Sequence, residues 1–437
     1  MKKSFFYGLV VTVLTLNLIL GSQIYLSNAA DKERDDAYPN IAQFTRVLEM
    51  IHQNYVDGDK TAYKALINGA LKGMISTLDP HTEYMEPRKF DDLRKDTSGE
   101  FGGLGIVISS KDTHITVVSP MDDSPGFKAG IRAGDRIVKI DGKTTEKMTV
   151  SDAVKKLRGE PGTDVNISVV RPPATAAKDY KLTRAVIKVD TVKDLTGRRE
   201  FPLHENKIGY VRLSQFGEHT SDDLERALKI MEERGAQSLI MDLRDNPGGL
   251  LDQAVKVCEK FLPRGQLIVS TEGRNAAEKS VFNATGRTKH PNMPLVILIN
   301  GGSASASEIV AGCLQDLKRA YVMGEKSFGK GSVQSILPLP DGAALRLTTA
   351  KYYTPSHKVI HEHGIDPDSV VPMSLDEERD LMLKRAPGGA DAMEGKDRER
   401  VLKARDTQLE RALDYLKGVG ILLSQMKPET GKVAAAK

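Results

Sequence analysis

One serine of this 437-residue chain, Ser305, lies where a nucleophile could act. Ser305 follows the run Leu295–Ile299 and precedes a helix predicted to begin at Ala306, so it should lie at a strand-to-helix junction. Backbone N–H groups and the dipole at a helix N-terminus stabilise developing negative charge, as acyl transfer requires. The spacing from Ser305 to Glu308 also fits a capping box, in which the serine would only cap the helix.

Lys330 is the best candidate for the base that such a serine needs. The histidines offer no clear alternative, because His361 and His363 lie in a polar loop without metal-ligating neighbours and are expected to be solvated. Gly329 and Gly331 flank the lysine, so other parts of the chain could enclose its side chain closely. Burial would then lower the pKa of the lysine from about 10.4 toward the working pH.

The segment around Lys330 also resembles a phosphate-binding loop. Gly324, Gly329 and Lys330 match most of the pattern G-x-x-x-x-G-K-[ST], but Gly331 occupies the position of the magnesium-binding hydroxyl. A nucleotide hydrolase is therefore the weaker hypothesis. Gln334, four residues after the lysine, lies on the same side of the chain in a helix or a strand, so its carbonyl could orient the amine.

A second strand end could supply backbone donors for an oxyanion hole. The predicted strand 239–243 is followed by Asn246-Pro247-Gly248-Gly249, a tight turn that could expose N–H groups. Together with the N–H of Ala306, one of them would hold the oxygen of a tetrahedral intermediate. An ordinary turn explains this stretch alone, but the three segments together point to acyl transfer.

Alternating strands and helices between residues 207 and 371 must position these residues. Apolar runs predict strands at Ile208–Leu213, 239–243, Leu295–Ile299 and 321–323. Helical spacing predicts one helix from its cap Ser221 to Gly235 and another from Ala306 to about Leu317. The alternation predicts a multidomain α/β protein whose largest domain contains the candidate site.

The rest of the chain divides into four further regions. We predict an N-terminal segment at 1–30, a helical region at 31–97, a β-rich module at 98–185 and a C-terminal linker and helix at 376–437, around the α/β core at 186–375. In the module, short strands with glycine and aspartate turns accompany a helix at Val150–Leu157. Residues 385–399 are expected to form a flexible connection before a helix at 407–422.

The N-terminus predicts export. Lys2 and Lys3 precede an apolar run from Phe5 to about Leu20, and small residues follow at 27–30. The segment fits either a cleaved signal peptide or an uncleaved membrane anchor. Either way, we expect the rest of the chain in the periplasm or at the outer face of the cytoplasmic membrane, where free ATP is absent.

Composition excludes several other classes. The net charge is +4, tryptophan is absent and other aromatic residues are few, so nothing suggests nucleic-acid binding. Two cysteines, Cys258 and Cys313, are too few and too far apart in sequence for a disulfide framework or a zinc site, and we expect buried thiols. We therefore expect the chemistry to need no metal or other cofactor.

Several segments resemble the carboxy-terminal processing peptidases, also called tail-specific serine proteases. The similar segments are 78–84, 246–249, 302–308, 327–334, 349–355 and 364–368. The resemblance implies a crotonase/Clp-protease-like core with an inserted PDZ domain and helical N- and C-terminal regions. It also implies a dyad of Ser305 and Lys330, assisted by Gln334, with Gly248 and Ala306 lining the oxyanion hole. His357 departs from the family pattern, where glycine is expected.

The PDZ assignment suggests how substrates are selected. Backbone N–H groups at Leu104, Gly105 and Ile106 could bind a peptide's terminal carboxylate while the peptide adds as a strand to the module's edge. We expect protein or peptide substrates with exposed apolar C-termini, and an adaptor protein, inner-membrane anchoring and homo-oligomers are compatible with the resemblance. A PDZ scaffold that had lost catalysis would be expected to lack Ser305 or Lys330, and both are present.

Overall fold

The computed structural model describes residues 37–426, apart from 99, 112–113, 122–123, 133, 189, 276–278, 287–288, 386–389, 391–392 and 394. It divides into two units, residues 1–80 and 81–437. The predicted signal or anchor at 1–30 lies outside the described residues. Within the described part of the chain, no helix has both the length and the apolar character needed to cross a membrane.

The described part of the first unit, residues 37–80, contains two helices, as the apolar spacing predicts. They are α1 (Ala37–Asn54) and α2 (Tyr63–Ser76), joined through a 3₁₀ turn at Gly58–Lys60. The apolar face of α1 is largely exposed, with Phe44 and Val47 at 46% and 48% exposure.

The second unit contains the remaining elements. Its strands are β1 (Glu83–Met85), β2 (Glu100–Gly103), β3 (Ile106–Lys111), β4 (His114–Pro120), β5 (Arg136–Ile140), β6 (Lys143–Thr144), β7 (Asp164–Val170), β8 (Ala177–Thr183), β9 (Ala185–Lys188), β10 (Val192–Lys193), β11 (Ile208–Leu213), β12 (Ser238–Asp242), β13 (Leu267–Gly273), β14 (Ser280–Asn283), β15 (Leu295–Ile299), β16 (Tyr321–Gly324), β17 (Ser332–Pro338), β18 (Ala344–Tyr353) and β19 (Ser369–Val370). Its helices are α3 (Pro87–Ser98), α4 (Pro125–Lys128), α5 (Val150–Leu157), α6 (Thr220–Glu233), α7 (Leu251–Glu259), α8 (Ala306–Asp316), α9 (Leu375–Arg385), α10 (Gly395–Lys403) and α11 (Thr407–Met426), with a 3₁₀ turn at Glu205–Lys207.

A six-stranded sheet in the order β10-β11-β12-β15-β16-β19 forms the centre of the core. Its strands are parallel from β11 to β19, while β10 runs antiparallel at one edge. Every residue of β12 and β15 is buried, because α6, α7 and α8 pack on one face and α11 covers the other. This order brings the carboxyl ends of β12 and β15 side by side, where ligands of open α/β sheets usually bind.

A second sheet of the core is antiparallel. It has the order β1-β18-β13-β14, and β17 pairs with the long strand β18. Because β17 begins two residues after Lys330, this sheet carries the lysine segment.

The β-rich module has its own sheet and its own hydrophobic core. Its strands have the order β3-β4-β5-β7-β8, with β6 paired to β5, so β3 lies at an edge. Helix α5 covers the residues expected for it, Val150–Leu157. A two-stranded ribbon of β2 and β9 joins the chain entering the module to the chain leaving it. In sequence, the module falls between β1 and β10, which pair with the core strands β18 and β11.

Several boundaries differ from the sequence expectations. Strand β12 covers Ser238–Asp242 rather than 239–243, and α11 continues to Met426 rather than ending at 422. Helix α6 begins at Thr220 rather than after a cap at Ser221, because the Thr220 hydroxyl accepts the Gly217 N–H at 2.9 Å in a buried turn. The expected flexible connection at 385–399 is shorter, because α10 already begins at Gly395. Its residues 386–389, 391–392 and 394 lie outside the described part of the chain.

The two cysteines are fully buried thiols, as expected, on α7 and α8. Although far apart in sequence, they are neighbours in space. Burial, with a hydrogen bond to Cys313, raises the pKa of the Cys258 thiol well above its ordinary value. Both therefore belong to the packing of the helices and not to a reactive site.

Candidate active site

Hydrogen bonds join the loops that follow β12 and β15. The Ser303 hydroxyl donates to the Leu243 carbonyl at 2.8 Å. The Asn246 carbonyl accepts from the Ala304 N–H and from the Ser307 hydroxyl, each at 2.9 Å. These bonds hold the segment containing Ser305 against the turn at 246–249.

Ser305 has a strained backbone conformation. Its φ of 55° and ψ of −113° depart from the extended conformation of an ordinary N-cap residue. Such strain costs roughly 1 to 3 kcal/mol and typically occurs at functional sites. A residue that only capped α8 would have no need of it. The capping interaction expected with Glu308 is also present, since its carboxylate accepts the Ser305 N–H, so Ser305 begins α8 in a strained conformation and stays a candidate nucleophile.

One buried carboxylate connects the serine to the lysine segment. Oε2 of Glu308 accepts the backbone N–H groups of Ser305 and Lys330, at 2.8 and 2.9 Å. Its Oε1 accepts the Ser327 hydroxyl at 2.5 Å and the Gly329 N–H at 2.7 Å. Because one oxygen atom binds both backbones, Ser305 and Lys330 lie in adjacent segments of the chain. The sequence suggested only a capping role for Glu308.

Burial raises the pKa of the Glu308 carboxyl above its ordinary value, and the hydrogen bonds that it accepts act in the opposite direction. All four partners are donors, so the arrangement suits a carboxylate that accepts four hydrogen bonds. Losing this group would leave buried donors without acceptors.

Lys330 is half-buried, and burial lowers the pKa of its ammonium group. The positive charge of Arg346 lowers that pKa further, while the negative charge of Glu308 opposes the change. Gly331 permits this enclosure, because a Cβ there would lie 2.1 Å from the backbone nitrogen of His361. His361, expected to be solvated, is thus partly buried against the lysine segment, and its Nδ1 atom is buried.

Gln334 lies on β17 with its amide carbonyl available. Its Nε2 donates to the hydroxyls of Ser332 and Thr348, at 3.1 and 2.9 Å. Its Oε1 is buried and has no hydrogen-bond partner among the described residues. A buried acceptor without a donor calls for an explanation, and a nearby amine would supply one.

Gly248 and Ala306 both lie beside Ser305. A Cβ built on Gly248 would be 2.8 Å from the Cβ of Ser305 and 2.9 Å from the backbone nitrogen of Ala306. Only glycine fits at this position, whose φ is 98°. In this conformation, however, the Gly248 N–H donates to Oδ1 of Asn246 at 2.9 Å. One of the two expected oxyanion donors is therefore engaged within its own loop.

The candidate carboxylate loop of the module lies at the start of its edge strand. The carbonyls of Leu104 and Gly105 accept the N–H groups of Gly126 and Met121, each at 2.8 Å. Neither Leu104 nor Gly105 donates its own N–H to another described residue. Ile106 begins β3. The loop thus has the free donors and the adjacent sheet edge that peptide binding requires.

His357 lies in a tight turn. Its φ is 61°, and its N–H donates to the Thr354 carbonyl at 2.8 Å, which explains why glycine is expected there.

Within the described residues, no group of three or more His, Cys, Asp or Glu side chains could hold a metal ion. That the chemistry needs no cofactor remains a prediction.

Three family models match parts of the chain. Peptidase family S41 matches residues 207–371, which contain the candidate dyad. A PDZ domain model matches residues 116–171 in the β-rich module. The model of the activating protease CtpB N-terminal domain matches residues 18–88.

Individual proteins are similar over most of the chain. A carboxy-terminal-processing protease of Bartonella bacilliformis is 44% identical over 371 residues, covering 83% of this chain and 81% of its own. The carboxy-terminal processing protease CtpB of Bacillus subtilis is 34% identical over 339 residues, covering 77% of this chain and 68% of its own. A solved structure of a candidate S41 protease from Bacteroides fragilis has a TM-score of 0.50 at 18% identity, covering 85% of this chain and 97% of its own. That structure bears on the fold alone.

Proposed function

Because this chain belongs to the carboxy-terminal processing proteases of peptidase family S41 and contains a PDZ domain, we propose that it is a serine endopeptidase with a Ser305–Lys330 dyad. The observation that carries the proposal is the carboxylate of Glu308, one oxygen of which binds the backbones of both residues. It supports a site in which serine and lysine act on the same peptide bond.

In the proposed mechanism, the Ser305 hydroxyl attacks the carbonyl carbon of the scissile bond and Lys330 Nζ takes its proton. The resulting ammonium donates that proton to the leaving amine, and an acyl-enzyme remains. Lys330 then removes a proton from the water that hydrolyses the ester and returns it to Ser305 Oγ, which releases the acid product and restores the neutral amine. The lowered pKa of Lys330 favours the neutral amine that both steps require. We propose that Gln334 Oε1, a buried atom without a hydrogen-bond partner among the described residues, accepts from the amine and orients it.

We propose that the oxyanion hole consists of the N–H groups of Ala306 and Gly248. For Gly248 to contribute, its N–H must leave Oδ1 of Asn246 and turn toward the substrate oxygen. Glycine can rotate in this way because it has no Cβ. The conformation described here would then be a resting form of the site.

The PDZ domain is proposed to select substrates by their ends. The N–H groups at Leu104, Gly105 and Ile106 would bind the terminal carboxylate, and the apolar end of the peptide would lie along β3. This selection is independent of the dyad chemistry, so the two can be tested separately.

Location and partners are proposed from the sequence. The apolar N-terminal segment supports export to the periplasm or to the outer face of the cytoplasmic membrane. The exposed apolar face of α1 is a surface on which an adaptor protein or a second copy of the chain could bind. We propose that catalysis needs no metal or other cofactor, because side chains and backbone donors supply every step.

For the core, we propose a crotonase/Clp-protease-like fold with the PDZ domain inserted, supported by the strand pairings on both sides of the module. A nucleotide hydrolase is less favoured, because the position of Gly331 leaves no room for a serine or threonine side chain. An inactive PDZ scaffold would have no use for the strained conformation of Ser305.

The dyad can be tested with purified variants. We expect Ser305→Ala, which removes the nucleophile, and Lys330→Ala, which removes the base, each to lower kcat/KM for an unfolded protein substrate by about 10⁴-fold. Lys330→Arg should lower it equally, since arginine cannot release its proton. Lys326→Ala is the matched control, because Lys326 is an exposed lysine in the same loop. Circular dichroism checks that each variant is folded. Substantial cleavage by Lys330→Ala would show that lysine is not the base.

A further inference from the structure

The strand that begins beside Lys330 has a free edge. β17 pairs with β18 along its whole length, and no other described strand pairs with it. β17 is therefore an edge strand of the antiparallel sheet, and its first residue, Ser332, lies two positions after the candidate base.

The backbone groups that face this edge can be assigned from the alternation of the ladder. The Leu339 N–H donates to the Ala343 carbonyl at 2.8 Å, so Leu339 faces β18. Because facing alternates along an antiparallel strand, Leu337 also faces β18. The N–H and C=O groups of Gln334 and Ile336 therefore face outward, available to another chain.

The side chains of this edge are uncharged and partly apolar. Residues 332–339 contain no charged residue, and Ile336, Leu337 and Leu339 are 37%, 44% and 38% exposed. Edge strands usually carry charges that prevent pairing with other chains. An uncharged edge with exposed apolar side chains lacks this protection and is open to pairing with another chain.

We propose that the free edge of β17 binds the substrate as an added strand. The occupant is an extended, unfolded segment of the substrate polypeptide that carries uncharged or apolar side chains near the scissile bond. Pairing with Gln334 and Ile336 would hold it through its backbone, independently of its sequence. Since β17 starts next to the dyad, the bound segment leads directly into the site. This inference rests on the proposed protease function.

The test removes one outward-facing donor. Ile336→Pro deletes an N–H that takes no part in the β17–β18 ladder, so the sheet should tolerate it. We expect kcat/KM for a fluorogenic peptide to fall about threefold to tenfold, mainly through KM, in line with one lost hydrogen bond. Ile336→Ala keeps the N–H, so its kcat/KM should fall less than that of Ile336→Pro.

Val281→Pro is the matched control, since Val281 is an exposed residue on β14 at the other edge of the same sheet. We expect its kcat/KM for the fluorogenic peptide to equal that of the unchanged protein. Labelling of Ser305 by a small fluorophosphonate, which needs the dyad but no strand pairing, should be equal in all variants. If the unchanged protein is labelled and cleaves peptides, but Ile336→Pro has the same kcat/KM as Val281→Pro, strand addition is wrong. If the unchanged protein neither labels nor cleaves, the protease function itself fails.

A second measurement uses the unchanged protein. Methylating single backbone nitrogens of the peptide should lower kcat/KM at every second residue, because alternate N–H groups face β17. An equal effect at successive residues, or none, would contradict the added strand even if Ile336→Pro did not fold.

Discussion

Lys330 can act as a base only to the extent that its amine is uncharged at the working pH. Burial and Arg346 lower the pKa of its ammonium, so the neutral form is reached at a lower pH than for an exposed lysine. Activity should therefore rise with pH through this lowered pKa. In the proposed site, the carbonyl of Gln334 is a neutral acceptor, which would orient the amine without the opposing effect of a negative charge.

This argument predicts the outcome of changing Gln334 to glutamate. A carboxylate near the amine favours the ammonium form and raises the pKa of Lys330, so Gln334→Glu should move the rising limb of the pH–kcat/KM profile upward by about one pH unit. Activity at neutral pH falls and is recovered in more alkaline buffer. Gln334→Met removes the acceptor without adding charge, so it should lower kcat with no upward shift. Profiles measured from pH 6 to 10 that coincide for Gln334→Glu and the unchanged protein would place Gln334 away from the base.

Residue types and spacing were sufficient to propose Ser305 at a strand-to-helix junction, Lys330 between two glycines and Gln334 four residues after the lysine. They could not reveal the role of Glu308, which binds groups from two loops that meet only in the folded chain. The hydrogen bond between Gly248 and Asn246 could not be predicted from the sequence either, since it depends on the conformation of one turn. Sequence alone thus predicts the reacting groups better than the groups that position them.

At the scale of elements, the apolar runs predicted β11 and β15 with correct bounds, because strands buried on both faces are nearly continuous in apolar residues. The amphipathic pattern near the C-terminus predicted α11 but not the surface against which this helix packs. Leu409, Ala412 and Leu416 pack against the face of the central sheet opposite α6–α8. Helical periodicity shows that a helix has an apolar face, but not which surface that face covers.

A buried ion pair connects α11 to the loop that follows β12. The Arg244 guanidinium, 2% exposed, donates to Asp242, to both carboxylate oxygens of Asp406 at 2.8 Å, and to Gln408 at 3.0 Å. Arg244 is two residues before Asn246, whose carbonyl binds the serine loop. The C-terminal helix therefore helps to hold the candidate site in place.

This connection predicts the effect of Asp406→Asn. Asparagine can still cap α11, where Asp406 accepts the Leu409 N–H at 3.0 Å, but it leaves part of the buried charge of Arg244 unpaired. We expect the free energy of unfolding in urea to fall by roughly 2 to 4 kcal/mol, with a lower kcat. Asp414→Asn is the same chemical change at an exposed position of the same helix. Equal stabilities for the two variants would show that the ion pair contributes little.

At the scale of the whole molecule, the PDZ domain and the proposed dyad belong to separate parts of one chain. The module has its own core, and its candidate loop belongs to a different sheet from β17. A substrate could therefore be recognised by its end at one site and cleaved at the other. Recognition by the end requires that the module bind the terminal carboxylate.

The carboxylate can be removed from the peptide rather than from the protein. A substitution at Gly105 would be ambiguous, because a Cβ there would lie 2.2 Å from the Cβ of Ser124 and would disturb the module itself. Amidation instead removes the charge that the N–H groups at Leu104, Gly105 and Ile106 would bind. The loss should be roughly 1.5 to 3 kcal/mol, or about tenfold or more in Kd.

The measurement is calorimetric titration of the free acid and the amide of one apolar-ended peptide into Ser305→Ala, which binds without cleaving. We expect the difference between the two peptides to persist when Ile336→Pro is added, because β17 contacts the segment near the scissile bond and not the terminus. If amidation mattered only with an intact β17, the carboxylate would be bound near the dyad instead of by the module. Equal affinities for acid and amide would mean that the PDZ domain does not recognise the carboxylate, so selection by C-terminal ends would have to be abandoned even with the serine-lysine chemistry intact.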